Sequence, residues 1–319
     1  MTFTCTKSGR LDVIMSEELS LPRNQIEQLI KQVGVSVDGK VIHKSGFKLK
    51  GEEFIEYNFI QAVKEKESYE VDFDIDVLYE DEDILVINKP PFLTVHPAPS
   101  VKEATLVDWL IKRGISLSTI SGDERHGIVH RIDKETSGAL VVAKNNAAHV
   151  NLSAQLEDKS MGRYYLGLID IPLKEDMIVD KPIARNPKNR LKMDIVQGGR
   201  ESKSAFCKLS LSDNGKMELI TAKLFSGRTH QIRVHLKSLS RHIIGDSLYG
   251  FKSQNSKIPR VMLHAYIVYL KHPTSGEFLL VEAPLFEDFE NLLQKHFKKD
   301  EIDAKINSSY IIERFNIFS

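Results

Sequence analysis

Apolar residues fall at helical spacing at Leu11, Ile14, Met15 and Leu19, and again at Ile26, Leu29 and Ile30 after Pro22. This spacing predicts two short helices. Val33, Val35 and Val37 then alternate with other residues, Asp38-Gly39 suits a tight turn, and Val41-Ile42 resume the strand, which predicts a β-hairpin. The stretch over 62–68, AVKEKES, has no apolar period and reads as a polar linker.

From Tyr69 the pattern changes. VDFDIDVLY over 71–79 alternates strictly, and ILVINKP over 84–90 is an apolar run stopped by Pro90-Pro91. Leu106, Val107, Leu110 and Ile111 share one helical face, with Gly114 as a stop. GALVVAKN over 138–145 predicts a buried strand, and NAAHVNLSAQLEDK a helix capped by Asn145 or Asn146. RYYLGLID, FCKLSL, MELITAKLF, VMLHAYIVYLK and FLLVEAP predict further strands, with turn signals at Asp213-Asn214-Gly215 and Thr274-Ser275-Gly276. Many strands with few helices between them predict an α+β fold with a mixed, mainly antiparallel sheet. The expected organisation is a small α/β unit over 1–62, a linker over 63–68, a main domain over 69–299 and a tail over 300–319 with no assigned structure.

Composition is that of an ordinary soluble globular chain: 41% hydrophobic and 28% charged residues. No apolar run suits a membrane span, and the N-terminus lacks the apolar core of a signal peptide. Two cysteines, Cys5 and Cys207, cannot build a disulfide framework or a metal cluster, so a cytoplasmic monomer is the default expectation. Net charge is zero, yet its distribution is uneven. Residues 70–83 carry eight acids and no base, whereas residues 181–241 carry fourteen Lys/Arg against four acids. Such a surplus is the footprint of a polyanion-binding face, with a mixed solvated surface as the bland alternative.

Three tempting motifs fail on chemistry. Gly34, Gly39 and Lys40 match the start of a phosphate-binding loop, but Val41 offers no hydroxyl and the alternation demands a strand. His126 and His130 are four apart, yet HGIVH lacks the glutamate of a zinc helix, and its glycine and β-branched residues disfavour that helix. A structural or RNA-contacting role for His130 fits better. Asp133 and Glu135 could serve a glycosidase as a carboxylate pair, but close neighbours on one segment rarely flank a sugar from opposite sides.

Two stretches remain. In HRIDKETSG, Asp133 lies between Arg131 and Lys134, on a turn before the GALVVAKN strand. A cleft-rim carboxylate and a self-solvating turn aspartate both fit that local sequence. LFSGRTHQIRVHLKSLSRHIIGDSLYG gathers Arg228, His230, Gln231, Arg233, His235, Lys237, Arg241 and His242. Arginine suits bidentate pairing with carboxylate or phosphate. Arg228 is therefore a candidate partner for Asp133, with the others available to hold phosphates.

HRIDKETSGALVVAKN resembles the signature of the RluA-type RNA pseudouridine synthases. INKPPFLTVHP, RYYLGLI, LFSGRTHQIRVHL with HIIGDSLYG, and the segment from VMLHAYIVYL to Leu293 resemble the family's other motifs in order. Residues 9–58 resemble the S-four-like RNA-binding domain. Departures are Phe92 at a usual glycine, Ala139 at a common leucine, Ser226 at a common threonine, and Gly162-Arg163 at a lysine-rich lead-in.

The resemblance implies isomerisation of uridine in structured RNA, large-subunit ribosomal RNA first and tRNA second, with no cofactor and no metal. By the same resemblance Asp133 is the essential carboxylate. It either attacks the anomeric carbon or removes a ribose proton to give a glycal. Arg228 is expected to keep it ionised, since an adjacent guanidinium lowers a carboxylate's pKa. Tyr165 is expected against the target uracil, Leu263 as an apolar wall, and Arg131, His130, His230 and Arg233 on the RNA. The rival reading is a non-catalytic RNA-binding or ribosome-assembly protein on the same fold, separated by tritium release from carbon-5-labelled RNA.

Overall fold

The computed structural model describes residues 2–19, 23–57, 69–98, 100–115, 117–118, 127–250 and 258–318. The chain forms two compact units, Met1–Glu67 and Ser68–Ser319. The linker expected over 63–68 and His126 lie outside the described residues.

In the first unit, strands β1 (Thr2–Thr4) and β2 (Gly9–Arg10) precede helices α1 (Leu11–Glu18) and α2 (Arg23–Gln32). Strands β3 (Val35–Val37), β4 (Lys40–Ile42), β5 (Lys48–Leu49) and β6 (Phe54–Glu56) follow. Four of these form a sheet in the order β1-β6-β3-β4. The β3–β4 hairpin turns through Asp38 and Gly39 at φ 50° and 80°, as a two-residue hairpin turn requires. The unit has its own core, including Leu11, Ile14, Met15, Ile26, Ile30, Val35 and Ile55. Asp12 is buried there between the guanidinium groups of Arg10 and Arg23, whose hydrogen bonds hold its carboxyl down at about 2 against the cost of burial.

The second unit opens with β7 (Asp76–Glu80), β8 (Ile84–Lys89), α3 (Leu106–Lys112), β9 (Ser137–Ala143), α4 (Asn146–Asp158) and β10 (Gly162–Ile169). It continues through β11 (Met177–Asp180), β12 (Ile183–Arg185), β13 (Met193–Ile195), β14 (Lys203–Leu211), β15 (Glu218–Leu224), α5 (Gln231–Ser238), β16 (Leu263–Lys271) and β17 (Phe278–Glu282). Nine of these strands make one sheet, ordered β11-β14-β15-β10-β16-β9-β8-β7, with β17 also on β16. All its pairings are antiparallel except a short parallel contact, His264–Ser137 and Ala265–Gly138. The mixed, mainly antiparallel α+β expectation therefore holds.

Both faces of the sheet are covered, which explains the continuous apolar runs. Leu85, Ile87, Leu140 and Val142 face a core shared with Leu106, Val107 and Leu110 of α3. Ile84, Val86, Ala139, Val141 and Ala143 face the opposite core, shared with Ala148 and Leu152 of α4. Each leucine, isoleucine and valine among them contributes about 1.5–3 kcal/mol on burial. Asn145 caps α4, its side-chain oxygen accepting from the Ala148 N–H at 2.9 Å. At Gly138, φ is 112° and an added Cβ would lie 2.3 Å from the Ala265 carbonyl oxygen. Glycine is what lets β9 touch β16 there.

The segment over 300–319, expected as an appended tail, is instead part of this unit. After α6 (Glu287–His296) come α7 (Lys299–Lys305), α8 (Ser308–Arg314) and a short 3-10 turn, Asn316–Phe318. Ile302, Ile311 and Phe315 join the main core, and the Phe315 ring lies 5.2 Å from that of Tyr164. Ile302 and Ile306, and Ile311 and Phe315, are each four apart, but the two pairs belong to separate short helices with their C-caps, so no single long period marks the segment.

Candidate active site

Three neighbouring elements converge at one end of the central strands. The Arg131–Thr136 turn feeds β9, Tyr165 lies on β10, and Leu263 begins β16. In the β10–β16 register Tyr165 pairs with Ala265 and Gly167 with Leu263, and the register shifts between Tyr164 and Tyr165. This irregularity re-aims the side chains beside it. Asp133, Tyr165, Leu263, Arg131, Arg228, His230 and Arg233 all line one pocket.

The Asp133 turn is clamped from below by an unexpected residue. Lys89, at the end of the apolar β8 run, is fully buried. Its Nζ donates to the carbonyls of Pro90, Leu93 and Lys134 at 2.6, 3.0 and 3.2 Å. Three acceptors match the three donors of an ammonium. Burial pulls its pKa down to about 7, with the Asp133 charge opposing. On the other side Arg260, also buried, donates to Ser137 Oγ at 3.1 Å and is paired with Asp288. Ser137 Oγ is 2.9 Å from His264 Nδ1, and His264 Nε2 is 3.0 Å from the Ala283 carbonyl. The carbonyl must accept, so Nε2 carries the hydrogen and Nδ1 accepts from the serine. Burial lowers the His264 pKa to about 4 and keeps it neutral.

The cation at Asp133 is Arg233, not Arg228. Arg233 Nη1 donates to Asp133 Oδ2 at 3.2 Å, while its Nε and Nη2 grip the two oxygens of Asp246 at 2.7 and 2.8 Å. Asp246 is fully buried and also accepts from the backbone N–H groups of Leu248 and Tyr249, each at 3.0 Å. Burial opposes the Arg233 charge, but the hydrogen bonds and charges of Asp246 and Asp133 outweigh it and raise its pKa. Arg228 lines the same pocket, yet its Nε donates to the Glu201 carbonyl at 3.2 Å. The reason is local. Residues 231–238 fold as α5 rather than as a basic strand. That helix turns Arg233 inward, while Arg228 stays on the preceding loop.

Gln231 fixes that loop. Its side chain accepts from the Ser226 hydroxyl at 2.8 Å and the Arg228 N–H at 3.0 Å, and donates to the Lys203 carbonyl at 3.0 Å. His230 sits at φ 56° just before α5, with Nε2 3.9 Å from Asp133 and Nδ1 2.9 Å from the Tyr249 hydroxyl. Burial lowers its pKa, against the pull of the Asp133 charge. Tyr165 is buried, which raises the pKa of its phenol. Leu263 is buried in the pocket wall. Arg131 is exposed, with Nη1 3.2 Å from His96 Nε2.

His130 does not line the Asp133 pocket but lines the cleft beside it. It is buried between the Val141 N–H, which donates to its Nε2 at 3.0 Å, and Arg163 Nη1, 2.8 Å from its Nδ1. Burial drives its pKa far down and keeps the ring neutral. Glu135 does not line the pocket, and burial raises its carboxyl's pKa. Among the described residues Asp133 is the one carboxylate lining this pocket, which leaves no pair for a glycosidase.

Comparisons with known proteins show the family. Residues 83–238 match the model of the RNA pseudouridylate synthase family, and residues 9–55 that of the S4 domain. A Helicobacter pylori protein named "Uncharacterized RNA pseudouridine synthase" is 48% identical over 317 residues, covering 97% of each chain. This chain belongs to the RNA pseudouridylate synthase family. A Nitrosomonas europaea relative of this synthase, named "Ribosomal large subunit pseudouridine synthase D", is 36% identical over 89% of this chain and 83% of its own. The solved human "RNA Pseudouridylate Synthase Domain Containing 1" matches with a TM-score of 0.53 and 25% identity, over 70% of this chain and 94% of its own. The synthase is thus an isomerising enzyme with an appended S4 domain, and RNA is its substrate class. No helix among its described residues is long and apolar enough to cross a membrane.

One departure from the family pattern has a visible geometry. Phe92, expected from the resemblance to stand at a glycine position, has φ 67°. Glycine adopts that backbone without steric cost, whereas a bulky side chain is strained there.

Proposed function

We propose that this synthase isomerises uridines of large-subunit ribosomal RNA, with Asp133 as its essential carboxylate. The observation that carries the reading is the Asp133–Arg233–Asp246 chain at the base of a pocket that also holds Tyr165 and Leu263. The named substrates of the Nitrosomonas europaea and Zymomonas mobilis relatives support the choice of ribosomal RNA.

In the proposed reaction the N1–C1′ bond of uridine breaks and a C5–C1′ bond forms. The C5 proton is lost and N1 gains one, so atoms balance without an outside reactant. An everted base enters between Leu263 and Tyr165, which places the sugar toward Asp133. Eversion costs a few kcal/mol, which favours a target in a loop or distorted helix. The carboxylate acts on the ribose while Arg233 balances its charge. The Tyr165 phenol, kept neutral by burial, stands by C5 for proton transfer. Arg228, Arg131 and His230 face the RNA at the rim, and the S4 domain adds affinity for folded RNA. The synthase works as a cytoplasmic monomer.

Tritium release from carbon-5-labelled large-subunit rRNA transcript tests this reading. Release with the rRNA and none with tRNA is expected. Turnover of tRNA alone would overturn the ribosomal assignment.

A further inference from the structure

A second cleft, of about 570 Å³, adjoins the Asp133 pocket and shares Arg131, Arg163, Leu224, Gly227 and Arg228 with it. It lies between the Val129–Arg131 segment, the C-terminal end of α4 and the Lys223–Arg228 turn. Arg131, Lys159, Arg163, Lys223 and Arg228 line it against one acid, Glu157.

The buried cation at its base is unusual. Arg163, the second residue of β10, is only 7% exposed. Its Nη1 meets His130 Nδ1 at 2.8 Å, an imidazole that burial keeps neutral. Its Nε is buried with no hydrogen-bond partner. No ion pair joins Arg163 to a carboxylate among the described residues. A guanidinium taken out of water without an anion is costly. Nothing in the Asp133–Arg233–Asp246 chain uses it. Its Nη2 borders Gly227, where an added Cβ would lie 3.3 Å away, so the loop backbone can approach the guanidinium closely there. Lys223 lines the same cleft, 5.5 Å from the centre of the Tyr164 ring and 5.3 Å from that of Phe225. It too is without a carboxylate partner among the described residues.

A planar fork with one donor left unpaired, in a cleft shared with a second cation, matches a phosphate. We propose that this cleft binds a backbone phosphodiester of the RNA strand flanking the everted uridine, with Arg163 as the anchoring cation and Lys223 as the second. The inference rests on the RNA-isomerising reading of the neighbouring pocket, and it adds a specific subsite to it. The anion supplies the charge that the folded chain withholds from Arg163, and it fixes the strand's register relative to Asp133.

The salt dependence of binding tests it. The full chain is titrated with a labelled short oligouridylate at several KCl concentrations, for the parent, Arg163→Gln, Arg163→Lys and Lys223→Gln. Each lost phosphate contact should flatten the slope of log Kd against log salt by about 0.7. Arg163→Gln and Lys223→Gln should each show that loss, and Arg163→Lys should retain the parent slope. Unchanged slopes in both glutamine variants would overturn the subsite. If circular dichroism shows Arg163→Gln unfolded, the more accessible Lys223→Gln decides alone. Asp133→Asn should keep the parent slope. Flattened slopes with no turnover of rRNA by the parent would count against the ribosomal reading while leaving the phosphate site standing.

Discussion

Arg233 reaches Asp133 at 3.2 Å with one nitrogen while its other two hold Asp246 at 2.7 and 2.8 Å. The guanidinium is therefore immobilised by a buried carboxylate before it meets the reactive one. Asp133, at 19% side-chain exposure, keeps one face open to the pocket. The arrangement separates two tasks: Asp246 positions the cation, and Asp133 stays free for the role on the ribose proposed above.

Asp133→Asn should fold like the parent, because the amide keeps the shape and the turn is held by Lys89 and Arg260 rather than by the carboxylate. It should make no pseudouridine. A single-turnover assay on rRNA checks this, and substantial product would remove Asp133 from the mechanism.

Arg233→Gln should lose activity and also about 3–5 kcal/mol of stability, because it strands the buried Asp246 charge. Arg228→Gln should leave the urea midpoint unchanged and affect KM more than kcat, since Arg228 meets only a backbone carbonyl. Paired urea unfolding and steady-state kinetics compare them. Equal losses in the two variants would mean that the Asp246 anchor is unimportant.

Tyr165→Phe should retain RNA affinity, because the ring still fills the pocket, but slow loss of the C5 proton by roughly 10²–10⁴-fold. Burial raises the phenol's pKa, so the parent's rate should show no alkaline fall from this group near neutral pH. Tritium release followed against pH reads both. A phenylalanine variant with the parent's release rate would leave the hydroxyl without a role.

His264 makes the fold acid-sensitive. It is neutral in the folded state down to about pH 4, whereas in the unfolded chain it protonates near 6.5. Between these values the unfolded state binds the extra proton, so stability falls as pH falls, by about 3 kcal/mol in all. Above pH 6.5 the group contributes no pH dependence. His264→Asn should flatten this part of the stability profile, as urea midpoints at pH 7 and pH 5 would show. An unaltered acid slope would put the effect elsewhere.

Removing residues 1–62 should weaken binding to large folded RNA more than it slows chemistry. The first unit has a core of its own, and the second retains the pocket. Filter binding to rRNA beside single-turnover rates would detect the difference. Unchanged affinity would assign RNA capture to the second unit alone.

Much of the fold could be read from periodicity, because β8, β9 and β10 are buried on both faces and appear as unbroken apolar runs. Asp133, Tyr165 and Leu263 meet because the turn before β9, the middle of β10 and the start of β16 lie side by side in the sheet, and the resemblance brought the three to notice together. The choice of Arg228 over Arg233 failed for a geometric reason. Both arginines stand in one basic run, and only the start of α5 at Gln231 decides which turns inward. Lys89 was hidden because a lysine closing an apolar run reads as a strand end, not as a buried clamp. His130 was placed on the RNA because a histidine in a basic motif suggests a surface, while its two partners come from distant β9 and β10.

The Phe315 ring rests on Tyr164, the immediate neighbour of Tyr165. Residues of the 300–319 segment therefore complete the core behind the strand that carries Tyr165. Loosening that segment is therefore expected to disturb the strand that carries Tyr165, although none of its residues lines the pocket.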